Sequence, residues 1–211
     1  AARFSHAARS VTLPLVATRS RARTASGSMP NQASWRAERG IALPATGHPH
    51  GMPAHEVLRL IAPELDPTAA AAEVNRREEL DVEGITALPG AAELLAGALG
   101  DCAIAIVTGC TLPLARARLR AAELTLPPGA LLVTTERTPR GKPDPAPFLL
   151  AAAELGVAPA DCVVLEDAPA GVAAGRAAGM HVVAVGPTPP AADEHHPDVA
   201  AWLAAVRARR G

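Results

Sequence analysis

From Leu88 onward, short unbroken apolar runs alternate with longer stretches whose apolar residues recur at helical spacing. The runs are CAIAIVT (102–108), ALLVTT (130–135), CVVLED (162–167) and HVVAVG (181–186). Runs of this kind suit short strands buried on both faces. Between them lie candidate helices. ALPGAAELLAGAL (87–99) is marked at its start by Pro89 and Gly90, and LPLARARLRAAEL (112–124) is amphipathic. DPAPFLLAAAELG (144–156) opens on an acid and prolines and closes on glycine, the usual punctuation of a helix. AGVAAGRAAG follows the third run. The last helix, DVAAWLAAVRARR, ends in basic residues that complement its dipole. Strict alternation of strand and helix predicts an α/β fold. Its parallel sheet is covered on both faces, and ligands are expected at the carboxyl ends of the strands.

Residues 29–87 follow another pattern. HEVLRLIAPEL and PTAAAAEVNRREELD read as helices with one polar side, and no strand candidate lies among them. They predict a small helical domain inserted ahead of an α/β core at 88–206, with 207–211 as a tail. Residues 1–28 differ again. They hold Arg3, Arg9, Arg19, Arg21 and Arg23, much Ser, Thr and Ala, and no acid; the first acid of the chain is Glu38. Such a composition resembles a transit peptide or a disordered arm. SVTLPLVAT (10–18) is a single strand candidate there, with Pro14 against it.

Composition narrows the function. The 20 basic and 21 acidic residues nearly cancel, for a formal charge of −1, and aromatics are 2%. Neither a basic surface nor stacking platforms favour nucleic acid, and no apolar stretch approaches the ~18 residues a membrane span needs. No nucleic-acid or membrane partner is expected. Cys102, Cys110 and Cys162 have no CxxC spacing, and they read as buried thiols of a reducing cytoplasm. Trp202 and Phe148 read as core, and DEHHP (193–197) as a surface loop.

Three strand ends carry chemistry. Thr108 and Gly109 follow the first run; a hydroxyl and a backbone N–H at such a turn suit a phosphate oxygen, or simply cap the next helix. Lys142 sits in RGKPDPAPF before a helix, where it can aim a point charge at an anion or be a solvated surface lysine. It is the only lysine of the chain; every other one of the 20 basic residues is arginine. Glu166 and Asp167 end the third run. Two carboxylates there suit Mg²⁺, which binds one or two carboxylates and fills its shell with water and phosphate, or they suit a helix N-terminus. Each alone is ambiguous. Together they supply a hydroxyl and N–H cradle, a cation and a metal holder, the parts a phosphate site needs.

IVTGC, GKPDPAPF and VVLEDAPAGVAAGRAAGM resemble motifs II, III and IV of the haloacid dehalogenase (HAD) superfamily. The branch they resemble has small helical caps and contains sugar- and polyol-phosphate phosphatases and β-phosphoglucomutases. The likeness covers about residues 29–206. It implies a Rossmann-like core, a helical cap, Mg²⁺ and phosphoryl transfer through an aspartyl-phosphate. By motif, Thr108 and the Gly109 N–H would bind the phosphoryl group of a small phosphorylated metabolite. Lys142 would neutralise it. Asp167 would ligate Mg²⁺, with Glu166 on the metal or one step behind it.

The chain departs from that pattern in motif I, an apolar strand ending in Asp-x-Asp-Gly. Aligned on SMP (28–30), Ser20 stands at the nucleophile, Ala22 at the general acid/base and Arg23 at the glycine. Two explanations stand: a degenerate member that binds without turnover, or an N-terminal segment read out of frame or from a wrong start. An isomerase of the phosphoglucomutase type is a further alternative, separable by product analysis with glucose 1-phosphate. In the cap, His48, His50 and His55 could hold Zn²⁺ but read better as a loop. Met52 stands where related caps carry a basic residue.

Overall fold

The computed structural model describes residues 10–13, 30–43, 51–186 and 191–210. Six parallel strands form one sheet: β1 (Ser10–Leu13), β2 (Ala103–Val107), β3 (Leu131–Val133), β4 (Cys162–Glu166), β5 (His181–Val185) and β6 (Glu194–His196), in the order β3-β2-β1-β4-β5-β6. The strand candidate at 10–18 is thus realised over Ser10–Leu13 and lies mid-sheet. Its Leu13 pairs with Ile106 and its Thr12 with Val164. The chain builds one half of the sheet from β1 outward through β3, then returns to build the other half from β4. The reversal falls between β1 and β4, which makes their carboxyl ends the expected ligand crevice.

Alternate residues of β2, β4 and β5 serve opposite faces. Ile104, Ile106, Val163, Leu165, Val183 and Val185 pack under α4 (Ala91–Leu95), α5 (Leu112–Ala121) and α8 (Val199–Arg210), where Trp202 is fully buried. Ala105, Val107, Val164 and Val182 pack under α6 (Ala146–Leu155) and α7 (Pro169–Ala177), around Phe148. Burial on both faces explains why the strands read as continuous apolar runs. Before the second strand come α1 (Pro30–Ala37), α2 (Ala54–Ile61) and α3 (Pro67–Leu80), with their own small core of Trp35, Leu58, Ala70, Ala71 and Val74. Asp66 caps α3 by accepting from the N–H groups of Thr68 and Ala69. These three helices form the cap.

Two expectations are corrected. DEHHP is not a loop: Glu194–His196 is β6, paired with β5 over Val183–Val185. An edge strand needs only one partner and no apolar alternation, so a polar triplet can form it. The cysteines are not all buried: Cys162 is, whereas Cys102 and Cys110 are partly exposed. No described helix is long and apolar enough to cross a membrane.

Candidate active site

Lys142 is the pivot of the site. Its side chain is 5% exposed, and its Nζ donates to the Val107 carbonyl at 2.9 Å and to Glu166 Oε1. Val107 ends β2 and Glu166 ends β4, and β1 lies between those strands. The ammonium therefore bridges across the carboxyl end of β1, at the switch point. The Phe148 ring, 4.9 Å from Nζ, adds a cation–π contact. The Lys142–Pro143 peptide bond is cis.

Glu166 is fully buried and both its oxygens are engaged. Oε1 takes Lys142; Oε2 accepts from the N–H groups of Asp167 at 3.2 Å and Ala168 at 3.4 Å. Burial pushes this carboxyl above its ordinary value, the Lys142 charge pulls it back, and Asp167 adds to the rise. The Ala/Gly composition of α7 now has a local cause. A Cβ at Gly171 would overlap the Glu166 carboxylate, and one at Gly175 would lie 2.9 Å from a Val182 methyl. Small residues let this helix close over the acid pair. Asp167 is half-buried, and its carboxylate meets no donor among the described residues.

Thr108 follows β2. Its N–H donates to the Val133 carbonyl, and its hydroxyl accepts from the Cys110 N–H at 3.2 Å, a turn that curls the Thr108–Gly109 backbone at the strand end. The β2 and β4 links of Lys142 bring Thr108, Gly109, Lys142, Glu166 and Asp167 to one end of the sheet. Ser20, Ala22 and Arg23 lie outside the described residues, as do His48 and His50. His55 is described and stands 3.9 Å from Glu56.

Among the described residues no three His, Cys, Asp or Glu side chains gather to hold a metal. With both Glu166 oxygens already taken by protein donors, Asp167 is, among the described residues, the carboxylate left open at this strand end. One open carboxylate fits Mg²⁺, whose remaining positions water and phosphate oxygens commonly fill.

Sequence reasoning missed a second buried charge pair, between cap and core. Arg118 of α5 donates to Glu78 of α3 at 3.0 Å and to the Cys110 sulfur at 3.0 Å, and Gln32 of α1 also donates to Glu78. Burial raises the Glu78 carboxyl, against the pull of Arg118 and Gln32. It also missed that Glu56 of the cap accepts from the Gly141 N–H at 2.8 Å. Nothing in the sequence pattern signalled the latter, whose partners lie 85 positions apart.

Known proteins are similar to this chain in sequence and in fold. Hexitol phosphatase A of Escherichia coli is 49% identical over 141 residues, 64% of this chain, and the match spans 64% of that protein's length. A fructose-1-phosphate phosphatase of Escherichia coli is 34% identical over 140 residues, covering 66% of this chain and 73% of the relative. A crystal structure of a hydrolase from Pseudomonas syringae superposes with a TM-score of 0.75 over 95% of this chain and 98% of its own, at 23% identity, and so shares the fold. The model of the haloacid dehalogenase-like hydrolases matches residues 9–179. That span takes in the central strand, the cap and all three loops of the site, and the chain belongs to this family.

Proposed function

We propose that this chain binds a small sugar or polyol monophosphate, with Mg²⁺, at the carboxyl ends of β2, β1 and β4, and that its own turnover is near background. The observation that carries the reading is Lys142: a buried ammonium fixed between the Val107 carbonyl and Glu166, across the end of β1. In that position it would neutralise a phosphoryl group, and Glu166 would hold it there. The Gly109 N–H and the Thr108 hydroxyl would take phosphoryl oxygens. Asp167 would hold Mg²⁺, which supplies positive charge against the transferring group. The phosphatase relatives support the substrate class. A cytoplasmic setting agrees with cysteines that form no disulfide among the described residues.

The family's aspartyl-phosphate forms on a first-strand aspartate, with a second aspartate moving the proton. By motif those positions hold Ser20 and Ala22. Ser20 is flanked in sequence by Arg19 and Arg21, neither of which is a base at neutral pH, and a methyl group transfers no proton. Calorimetry with inorganic phosphate and Mg²⁺ should show binding that weakens at least about tenfold in Lys142→Met, the loss expected of a charge-assisted contact. Hydrolysis of an aryl phosphate should be near background, and should rise when Ser20→Asp, Ala22→Asp and Arg23→Gly are combined. Mg²⁺-dependent hydrolysis by the unaltered chain, abolished by Asp167→Asn, would overturn the impairment. Absence of phosphate binding would overturn the site.

A further inference from the structure

The segment that leads into α2 lies on all three loops of the site. A Cβ at Gly109 would stand 3.1 Å from the Gly51 carbonyl oxygen and 3.2 Å from that of Met52. A Cβ at Gly141 would run into the Pro53 ring. Gly51 itself, at φ +84°, approaches so closely that its own Cβ would lie 2.9 Å from that of Ala168. The cap is thus seated by close backbone approach on the turns that carry Thr108–Gly109, Lys142 and Asp167.

Among the described residues, one side-chain bond crosses this seat to the lysine turn: the Gly141 N–H donates to Glu56 Oε1 at 2.8 Å, across 85 positions of sequence. Gly141 immediately precedes Lys142. Glu56 lies in the first turn of α2, where the free N–H groups of the helix end favour a carboxylate. Its side chain is 18% exposed, so the bond is partly shielded from competing water. Any rotation that lifts α2 from the core must break this bond and release the amide beside Lys142. Any rotation that seats it restores both.

We propose that Glu56 is a positioning residue. The cap carries it to the Gly141 amide, and that bond holds the Lys142 turn in its phosphate-binding arrangement. The inference rests on the phosphate-site reading above. It requires the carboxylate as a hydrogen-bond acceptor; contact with the substrate plays no part in it. The bond joins cap position to the placement of the lysine, so a seated cap and an ordered Lys142 turn go together.

Two variants separate the bond from the charge. Glu56→Gln keeps an acceptor oxygen; Glu56→Ala removes it. The readouts are hydrogen exchange at the Gly141 amide and calorimetric affinity for inorganic phosphate with Mg²⁺. Glu56→Ala should speed exchange at Gly141 and weaken phosphate binding, each by about tenfold, the size expected for losing one bond to a charged acceptor. Glu56→Gln should stay within about threefold of the unaltered chain on both counts. Unchanged Gly141 exchange in Glu56→Ala would overturn the proposal. So would equal weakening by Ala and Gln, which would make the charge and not the bond responsible. If the unaltered chain bound no phosphate, the site reading would fail, yet exchange at Gly141 would still decide whether the bond orders the turn.

Discussion

Two carboxylate–cation pairs of the same sheet differ in one physical respect. Lys142–Glu166 closes the strand ends at 5% and 2% side-chain exposure, whereas Arg209–Glu194 closes the outer edge at 42% and 21%. Burial dominates the first and pushes Glu166 up; the Arg209 guanidinium dominates the second and holds Glu194 down, at about 2. A dehydrated pair gives back much of its Coulomb gain as lost hydration, and an apolar pair of the same volume often does as well. An exposed pair risks little and gains little. Stability alone therefore does not account for two charges kept dry at the switch point, whereas the phosphate proposed to bind there would.

The sharpest way to break this contrast is to unpair the buried charges. Glu166→Ala leaves the Lys142 ammonium with the Val107 carbonyl and the Phe148 ring and, among the described residues, no ion-pair partner. About 3–5 kcal/mol of stability should be lost, measured by urea unfolding. Joining Lys142→Met to Glu166→Leu should recover much of that loss while phosphate binding stays at least about tenfold weaker than in the unaltered chain. A double variant as unstable as the single one would show that packing, and not unpaired charge, sets the cost.

Gly171→Ala should have the next largest effect, because the new methyl would land on the Glu166 carboxylate and α7 would have to shift. About 1–3 kcal/mol is expected from overpacking of this kind, read by the same unfolding experiment. Normal stability in that variant would mean that helix and acid pair are not in tight contact.

The strand-end residues were legible because each follows an apolar run, and a run that stops at a polar residue marks a strand end. Thr108, Glu166 and Asp167 could be placed in that way, and Lys142 by its turn between Gly141 and Pro143 ahead of a helix. The role of Glu166 could not, since its two oxygens are spent on Lys142 and on backbone N–H groups only once β2 and β4 stand on either side of β1. The same holds for Arg118, which reads as one basic residue among several on α5 until α3 brings Glu78 against it. Glu56 and Gly141 lie 85 positions apart, and no periodicity encodes such a contact. β6 was hidden for another reason: a polar triplet at a sheet edge has no apolar signature, and its register comes from β5.

The edge pair provides the smallest effect and the control for the largest. Arg209 makes two hydrogen bonds to Glu194, at 2.9 Å and 3.0 Å, and His196 lies 3.3 Å from the same carboxylate. Arg209 is the main cause of the lowered value; burial opposes it, and His196 and His181 assist. The folded-state value of about 2 lies below the ordinary 4.5, so the carboxylate favours folding above pH 4.5 and that contribution fades as pH falls toward 2. Solvent around Arg209 screens it, which keeps the contribution under about 1 kcal/mol at neutral pH. Glu194→Gln should therefore cost less than about 1 kcal/mol at pH 7, and less again in high salt. It should also flatten the dependence of unfolding free energy on pH between 4.5 and 2. A loss as large as that of Glu166→Ala would erase the distinction, because burial would then not be what separates the pair at the phosphate site from the pair at the edge.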